Sequence, residues 1–390
     1  MLSNADSKVM LITGTRPEII KLYPLMRLFD TENIDYTFVH TGQHHDFNLF
    51  LNFIKEFKIK NPNYTIQLEN PTDPIQQFSE ILKGVGNALK QFKTSSIITV
   101  GDTNSVAAAS IAGTKSKIPV IHIEAGLRSY DWRMPEEYNR RMTDHISDVL
   151  FAPTIESAMI LTKEQVQGKV YTVGNTVLDA VRLCLQTPNE NKFAGYGNEN
   201  ITVNMDINGK LNEYILLTLH REENVDNPDI LKRIFSALSH LDVNCIFPVH
   251  PRTLKRIHQY GLGHYIGKNI KIIDPVGYHD FLRLLRNCRF IITDSGGIQE
   301  EITSPFINKR ALIFRDSTER RESIISGHSI LCTLDYFAMI EAIKRILSSQ
   351  PISIKSPYGD GYAAEKIVDI LKKEPIIPLA RKAISEYIQI

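Results

Sequence analysis

The sequence has few cysteines, no excess of charge of either sign and no long apolar run. Its four cysteines are scattered over 390 residues without a Cys-x-x-Cys spacing, which argues against a disulfide framework or a zinc knuckle and favours reduced, buried thiols. With 45 basic and 44 acidic residues the formal charge is only +1, so the composition does not indicate a nucleic-acid partner or an anionic membrane surface. No segment approaches the ~18 apolar residues of a membrane span, and Met1 to Lys8 lacks the features of a signal peptide. A cytoplasmic protein is therefore expected.

Short apolar, β-branched runs alternate with amphipathic stretches, a pattern typical of an α/β fold with parallel sheets. The predicted strands are Val9–Ile12, Thr37–His40, Ile97–Val100, Val120–Ile123 and Val149–Phe151, then Ile215–Leu219, Cys245–Pro248, Ile270–Ile273, Phe290–Thr293 and Ala311–Phe314. The predicted helices are Pro17–Phe29, Pro74–Phe92, Ser105–Lys115, Glu136–Ile146, Pro228–Leu241, Tyr278–Arg286, Ile298–Ser304 and Phe337–Leu347. Residues Thr187–Leu211 lose this periodicity, so we expect an irregular surface excursion there.

Two such series, at ~150 residues per domain, predict two Rossmann-like, doubly wound domains that face a central cleft. The predicted limits are 1–177 and 178–371. Ligands of open α/β sheets bind beyond the carboxyl ends of the strands. Polar residues that follow the predicted strands are therefore the candidate functional residues.

A glycine turn follows the first predicted strand and opens a helix: Gly14-Thr15-Arg16-Pro17-Glu18, with Lys21 one turn further on. Backbone N–H groups at a helix N-terminus, with Arg16 and Lys21, would form an anion site suited to phosphate. The alternative is an ordinary strand-to-helix turn with two solvated cations. The motif is neither Gly-x-Gly-x-x-Gly nor a Walker loop, so it does not indicate a nicotinamide cofactor or an ATPase.

Three carboxylates, Asp102, Glu124 and Glu136, follow predicted strands or begin a helix. Asp102 could instead cap the next helix, and Glu136 could simply favour a helix N-terminus. Glu124 is harder to explain structurally, because a charge directly after a buried strand seldom lacks a partner. Carboxylates that converge on one cleft are typical of general acid–base chemistry.

The second half carries a corresponding set of polar residues. His220 and His250 follow two predicted strands, and either could be a satisfied core or loop histidine. Ser295-Gly296-Gly297 precedes a helix and is a second candidate phosphate cradle, because small residues let a phosphate approach the backbone N–H groups. Glu301, about one turn into that helix, could accept the two hydroxyls of a ribose, and Arg315 follows another strand.

Taken in order, these motifs resemble the non-hydrolysing UDP-N-acetylglucosamine 2-epimerases, from Thr13 to about Ser323. The resemblance is carried by Gly-Thr-Arg-Pro-Glu with Lys21, Thr41-Gly42-Gln43-His44, Gly-Asp-Thr, Glu-Ala-Gly-Leu-Arg, Pro-Glu-Glu-x-Asn-Arg, Gly174-Asn175-Thr176, His220-Arg221, Asp-Ser-Gly-Gly-Ile-Gln-Glu-Glu and Arg-Asp-x-Thr-Glu-Arg. It implies the GT-B architecture, with UDP mainly on the second domain. It also implies a C-terminal helix, 372–390, that packs back on the first domain.

The resemblance further implies roles for individual residues. Those expected to hold UDP or the sugar are Arg16, Arg140, His220, Phe281, Ser295, Gly296, Gly297, Glu301 and Arg315, with Phe281 at the position of a uracil contact. Those expected to act in the chemistry are Lys21, Asp102, Glu124, Glu136 and His220. Which carboxylate takes the proton stays open.

The reaction that the resemblance implies is an anti elimination of UDP across C1–C2, which gives 2-acetamidoglucal, followed by re-addition with the opposite configuration at C2. The C2 proton is weakly acidic, so a carboxylate base must act while the C1–O bond breaks and cationic side chains neutralise the departing diphosphate. No metal or redox cofactor is required. The expected protein is a cytoplasmic homodimeric isomerase that makes UDP-N-acetylmannosamine for polysaccharide precursors.

The sequence departs from the family pattern at four places. Arg321 stands where the family often has proline, and Asn308-Lys309-Arg310 replaces Gly-Lys-Pro, and both changes are expected to alter a loop near the cleft. Gln43-His44-His45 and His220-Arg221-Glu222-Glu223 lack arginines of the allosteric UDP-N-acetylglucosamine site found in many bacterial members, so allosteric activation is not expected.

Three other functions remain open. The same epimerisation could act on a modified UDP-sugar, such as a 2,3-diacetamido uronic acid, because the loops that differ are where such specificity would lie. A UDP-sugar-dependent glycosyltransferase shares the fold but would not need Asp102, Glu124 and Glu136 together. A silent UDP-sugar-binding regulator would keep the UDP motifs and lose these carboxylates, whereas this chain keeps both sets.

Overall fold

Two parallel β-sheets form the framework of the chain, one in each of two units. The computed structural model describes residues 8–43, 47–186, 192–194, 200–202 and 214–374. The first unit contains Met1–Ala180 and Tyr358–Ile390, and the second contains Val181–Pro357. The α/β fold class predicted from the sequence is confirmed.

The first sheet has seven parallel strands in the order β3-β2-β1-β4-β5-β6-β7. The strands are β1 Val9–Thr13, β2 Tyr36–His40, β3 Tyr64–Thr65, β4 Ser96–Val100, β5 Val120–Ile123, β6 Val149–Ala152 and β7 Lys169–Thr172. The helices between them are α1 Arg16–Thr31, α2 Phe47–Phe57, α3 Pro74–Gln91, α4 Asn104–Lys115, α5 Pro135–Ile146, α6 Ile155–Lys163 and α7 Thr176–Gln186. Strands β1, β4 and β5 are buried along their whole length, as expected for a parallel sheet covered by helices.

The strand order reverses beside β1, and this reversal positions the candidate residues of the first unit. β1 pairs with β2 on one side and β4 on the other, and β4 in turn pairs with β5. All of these pairs are parallel, so the turns after β1, β4 and β5 emerge at the same edge of the sheet. This is the place where open α/β sheets bind ligands.

The second sheet repeats the pattern with six parallel strands in the order β12-β11-β10-β13-β14-β15. A short antiparallel pair, β8 Lys192–Ala194 and β9 Asn200–Thr202, precedes it. Its strands are β10 Tyr214–Thr218, β11 Asn244–Pro248, β12 Ile270–Ile273, β13 Ile291–Thr293, β14 Ala311–Ile313 and β15 Ser329–Leu331. Its helices are α8 Glu222–Val225, α9 Pro228–Ser239, α10 Pro251–Gln259, a 3₁₀ helix Leu262–Tyr265, α11 Tyr278–Asn287, α12 Ile298–Glu301, α13 Arg321–Ile325 and α14 Tyr336–Ser348, and α15 Ala363–Lys373 follows in the first unit.

The ten predicted strands are all present, with ends that agree to about one residue. The outer strands β3, β7 and β15 were missed because edge strands are short and partly exposed, so they lack a continuous apolar run. The predicted helix Ile298–Ser304 is wrong in its length, since α12 ends at Glu301 and Pro305 disfavours a helical conformation at Ser304. The irregular excursion is also partly wrong because it contains β8 and β9, and its other residues through Leu211 lie outside the described ranges.

The segment from Tyr358 onward belongs to the first unit, which differs from the predicted second-domain limit of 371. Asp179 explains this arrangement, because its carboxylate accepts hydrogen bonds from the N–H groups of Ala363 and Ala364 and so caps α15. Lys372 then pairs with Glu32 at the end of α1, at 2.5 Å. Residues 375–390 of the predicted C-terminal helix 372–390 lie outside the described ranges, and the division at 177/178 stays a prediction.

Cysteine burial agrees with the prediction from composition. All four cysteines are free and buried, and burial raises the pKa of both Cys245 and Cys288 to about 12. Within the described ranges, no helix is both long enough and apolar enough to cross a membrane.

Candidate functional site

Glu124 is the most constrained of the three predicted carboxylates. It follows β5 directly and has a left-handed backbone, φ +68°, which is uncommon for a residue other than glycine. Its buried carboxylate forms an ion pair with the equally buried Lys21 of α1, and Asn175 Nδ2 donates to the same oxygen, Oε2, at 3.2 Å. A strained backbone that holds a buried carboxylate against two donors is typical of a functional site.

Asp102 follows β4 and forms an ion pair with Arg140 rather than capping a helix. Arg140 Nη2 donates to Asp102 Oδ2 at 2.5 Å, while Thr103 is the N-cap residue of α4. The other guanidinium nitrogen, Arg140 Nη1, donates to the fully buried carboxylate of Glu137 at 2.8 Å. Arg140 thus bridges Glu137 and Asp102. Burial would raise the pKa of Glu137, but hydrogen bonds from Ser129 and Arg141 and the charge of Arg140 keep it below its ordinary value.

Glu136 lies in the first turn of α5, where the helix dipole favours a negative charge. Its side chain is half-buried and forms no hydrogen bond or ion pair with any residue that the structure describes. Glu136 therefore differs from the ion-paired Asp102 and Glu124. Its carboxylate is partly exposed and contacts no polar group of the described residues.

The turn after β1 is occupied by its own glutamate, which corrects its interpretation as a backbone anion site. The carboxylate of Glu18 accepts from Gly14 N at 2.6 Å and Thr15 N at 3.3 Å, and the Thr103 hydroxyl donates to it at 2.6 Å. Burial raises the pKa of Glu18 to about 7, against these hydrogen bonds, which lower it. The neighbouring Arg16 is exposed, with its guanidinium 4.4 Å from the centre of the Phe53 ring.

In the second unit His220 is oriented by a buried aspartate. His220 Nδ1 lies 3.0 Å from Asp294 Oδ1, and the other Asp294 oxygen accepts from Asn224 Nδ2 and Arg221 N, each at 3.0 Å. Burial alone would raise the pKa of Asp294, but the hydrogen bond and charge of His220 outweigh it and lower the pKa. A carboxylate on Nδ1 leaves Nε2 to face a ligand, as in acid–base dyads.

His250, by contrast, is accounted for structurally. It is the N-cap residue of α10, and its Nδ1 accepts from Arg252 N at 3.2 Å. The alternative of a satisfied loop histidine is therefore the better interpretation of His250.

Arg315 follows β14 and is buried beside the Ser295-Gly296-Gly297 turn. Its Nη2 pairs with Glu319 at 3.2 Å, whereas its Nη1 is buried with no hydrogen-bond partner in the described part of the chain. A Cβ on Gly296 would lie 2.8 Å from Glu319 Oε1 and 3.8 Å from Arg315 Nη1, so a larger residue there would require the Glu319 carboxylate to move.

Burial would raise the pKa of Glu319, but the charges of Arg320 and Arg315 lower it to about 2. Glu319 is therefore ionised at neutral pH and neutralises these two arginines in part. Burial lowers the pKa of Arg315, and the charge of Arg221 acts in the same direction. Arg320 also pairs with the buried Glu300, and Arg221 pairs with Glu223, so the charges in this cluster balance. The buried Nη1 of Arg315 is the feature of this cluster that suits an anionic ligand.

The remaining predicted residues of the second unit lie along α11 and α12. Glu301 is buried, and the Tyr278 hydroxyl donates to its Oε1 at 2.9 Å. Phe281 lies one turn after Tyr278 on α11 and is half-buried. Ser295 is half-buried, and its N–H donates to Thr293 Oγ1 at 3.0 Å.

One predicted loop change lies away from these residues. Asn308-Lys309-Arg310 precedes β14, whereas Arg315 follows it, so these residues lie at the amino and carboxyl ends of the same strand. The Arg310 guanidinium donates to Ser349 Oγ and Gln350 O after α14, at 2.7 and 2.6 Å. The expectation that this replacement alters a loop near the ligand edge is therefore wrong.

Sequence reasoning missed the residues that hold the predicted ones. Glu18, Glu137, Asn175, Asp294 and Tyr278 each contact a predicted residue or turn. Four of them lie inside motifs that the sequence displays, but a motif does not show which member contacts which.

His44 and His45 lie outside the described residues, and Gln43 Oε1 accepts from Ser105 N at 2.9 Å. In the described ranges no three His, Cys, Asp or Glu side chains are grouped to hold a metal ion.

Known proteins that are similar to this chain identify its family. Residues 26–372 match the family model of UDP-N-acetylglucosamine 2-epimerase. The chain is 40% identical over 373 residues to the UDP-N-acetylglucosamine 2-epimerase of Methanocaldococcus jannaschii, covering 93% of this chain and 98% of that protein. It is 32% identical over 373 residues to UDP-2,3-diacetamido-2,3-dideoxy-D-glucuronate 2-epimerase of Pseudomonas aeruginosa, covering 94% and 99%.

A solved structure agrees with both sequence comparisons. The crystal structure of the M. jannaschii UDP-GlcNAc 2-epimerase in complex with UDP-GlcNAc and UDP matches with a TM-score of 0.79 and 39% identity, covering 94% of this chain and 100% of that one. The sequence and fold matches each cover more than nine-tenths of the chain, and the family model covers residues 26–372. The chain belongs to the UDP-N-acetylglucosamine 2-epimerase family, whose members are isomerases.

Proposed function

We propose that the protein interconverts UDP-N-acetylglucosamine and UDP-N-acetylmannosamine by eliminating UDP to 2-acetamidoglucal and adding it back with the opposite configuration at C2. The observation that carries the proposal is the placement of Asp102 and Glu124 at the ends of adjacent parallel strands, each held by a cation, Arg140 or Lys21. A protein that only bound the nucleotide would have no need for two restrained carboxylates at one edge of its sheet.

The second unit supports the nucleotide half of the proposal. Arg315 Nη1 is a buried donor with no hydrogen-bond partner in the described part of the chain, next to a glycine that allows close approach. A buried guanidinium N–H without an acceptor is costly, and a diphosphate oxygen would satisfy it. We assign the ribose hydroxyls to Glu301, with Tyr278 fixing its carboxylate, and the uracil to Phe281.

The chemical steps divide among the charged residues. Removal of the C2 proton needs an ionised carboxylate, and we assign this step to Asp102 or Glu124, each of which is held by a cation. Glu136, which has no partner in the described part of the chain, has an accessible carboxylate for proton return. His220, fixed through Asp294, is positioned to stabilise or protonate the departing phosphate with Nε2. We assign the exposed Arg16 to UDP, and Arg140 to placement of the substrate through Asp102.

The product and setting complete the proposal. UDP-N-acetylmannosamine would supply polysaccharide precursors, and we expect a cytoplasmic homodimer that needs no metal or redox cofactor. These expectations rest on the family resemblance and on the composition of the chain.

The experiment that tests the proposal is proton NMR of the anomeric region after incubation of pure protein with UDP-N-acetylglucosamine. A second anomeric signal that approaches a constant ratio from either epimer is the expected result. If the protein turned over only a UDP-2,3-diacetamido-uronic acid, its activity would be that of its P. aeruginosa relative. UDP binding without turnover of either sugar would contradict the epimerase assignment.

A further inference from the structure

Asn175 belongs to a motif, Gly174-Asn175-Thr176, that has no role in the reaction as described so far. Yet its side chain is buried and contacts a residue of the proposed chemistry directly, with Asn175 Nδ2 3.2 Å from Glu124 Oε2. Lys21, the ion-pair partner of Glu124, binds the same oxygen. Oε2 of Glu124 is therefore contacted by a charged donor from α1 and by a neutral donor from the start of α7.

The amide of Asn175 has one possible orientation. Its Oδ1 accepts from Val177 N at 3.0 Å, which is the bond of an Asx turn at the start of α7. With Oδ1 committed to an N–H donor, Nδ2 must face the carboxylate. A planar amide whose two ends are both engaged points in a fixed direction, unlike the flexible ammonium of Lys21.

The backbone of Asn175 is fixed as well, by the segment that returns from the second unit. Asn175 N donates to Tyr358 O at 2.8 Å, and Tyr358 is the first residue of the returning segment and is fully buried. Gly174 makes this approach possible: its φ is +101°, and a Cβ there would lie 3.0 Å from Tyr358 O. Asn175 is thus anchored at two points, Val177 N and Tyr358 O, besides its contact with Glu124.

We propose that Asn175 is a positioning residue for Glu124: it sets the rotation of the Glu124 carboxylate so that the base faces C2 of the sugar. This inference rests on the proposed function, because it assumes that Glu124 touches the reacting atoms. The left-handed backbone of Glu124 is one that residues other than glycine rarely adopt, so its neighbours must hold it in place. The ammonium of Lys21 neutralises the charge of the Glu124 carboxylate, and the amide of Asn175 fixes the orientation of that carboxylate.

Asn175→Asp is the sharpest test, because it keeps the shape and places a second carboxylate on Glu124 Oε2. Two adjacent carboxylates share a proton, so the acid limb of the pH–rate profile should move to higher pH by about one unit, with Lys21 the facing cation in both proteins. Asn63→Asp is the matched control: Asn63 is in the same unit, and its Oδ1 accepts from Phe38 N at 2.8 Å, a bond that aspartate retains. An unchanged acid limb in Asn175→Asp would overturn the inference.

A double-mutant cycle separates positioning from general support of the fold. Asn175→Ala should lower kcat by about tenfold with KM within about twofold, and it should change kcat less than about twofold when Glu124 is already Gln. Equal losses in both backgrounds would mean that Asn175 acts on the fold rather than on Glu124. If Asn175→Ala does not fold, Asn175→Asp alone decides. Wild-type protein without epimerase activity would instead refute the proposed function, and the inference with it.

Discussion

The three carboxylates of the first unit differ mainly in what holds them. Glu124 has Lys21 and Asn175 on one oxygen, Asp102 has Arg140, and Glu136 has no partner among the described residues. Cations therefore hold Asp102 and Glu124 in place, whereas no described residue restrains the half-buried carboxylate of Glu136. Three carboxylates in three electrostatic settings could divide proton removal, proton return and orientation among themselves.

Removing one negative charge at a time tests this division. Glu124→Gln, Glu136→Gln and Asp102→Asn should each lower kcat by about 10²–10⁴-fold, because each removes an acid–base group or its support while keeping its shape. Steady-state kinetics on UDP-N-acetylglucosamine measures the effect, with the exposed Glu156→Gln as a control of equal charge. A variant among the three that kept wild-type kcat would have no part in the chemistry.

Glu301 should behave differently from these residues. It is fixed by Tyr278 and is assigned to the ribose, whose hydroxyls change little during reaction at the sugar. Glu301→Gln should therefore raise KM and weaken UDP binding by about tenfold or more, with a smaller change in kcat. Isothermal titration of the Glu301→Gln and Tyr278→Phe variants with UDP measures the loss of UDP affinity caused by each substitution. A variant with lower kcat and unchanged UDP affinity would contradict the ribose assignment.

At the scale of elements, the turn from β1 to α1 contains a buried glutamate with an unusual proton affinity. Glu18 links this turn to the one after β4 through Thr103, so it ties together the two turns that carry Arg16 and Asp102. Burial raises the pKa of Glu18 to about 7, whereas an unfolded chain would have its ordinary value near 4.5. Between these pH values the folded protein binds the extra proton and the unfolded chain does not.

The free energy of unfolding should therefore fall as pH rises from about 4.5 to 7, by up to about 3 kcal/mol from Glu18 alone. Glu18→Gln carries no ionisable group, so its stability relative to wild type should rise across the same interval. Urea unfolding at pH 4.5, 6 and 7.5 measures the difference. Asp179, whose pKa burial also raises to about 7, is common to both proteins and cancels. A constant difference would contradict this account of Glu18.

The sequence predicts strand ends well and side-chain partners poorly. β5 and Glu124 were found because a buried apolar run ends there in a charge. Lys21 and Asn175 lie far from Glu124 in the chain, and nothing in a linear pattern shows that both reach its Oε2. Helices such as α10 were missed because their apolar residues are few, and only tertiary packing reveals which face they bury.

The whole molecule repeats one architecture with two different sets of side chains. The first sheet ends in ion-paired carboxylates, and the second ends in an arginine cluster with a glycine turn. UDP alone should thus bind without the sugar and stabilise the protein, by ~2.7 kcal/mol at a hundredfold excess over its Kd. Arg315→Gln should abolish most of this gain in a thermal melt, whereas Arg310→Gln, on the opposite edge of β14, should retain it. Equal UDP stabilisation in both variants would contradict the role of Arg315.

Solvent exchange tests the reaction of the whole molecule. If a carboxylate removes the C2 proton and solvent exchanges with it before UDP returns, epimer formed in D₂O should carry deuterium at C2. Because UDP leaves before the proton returns, long incubation should also release some 2-acetamidoglucal and free UDP. Proton NMR detects both the lost C2 signal and the vinylic proton of the glycal, with Glu124→Gln as the variant in which both should slow together. Epimer that retained its C2 proton in D₂O from the first turnovers would contradict removal and return of this proton through a carboxylate that exchanges with solvent.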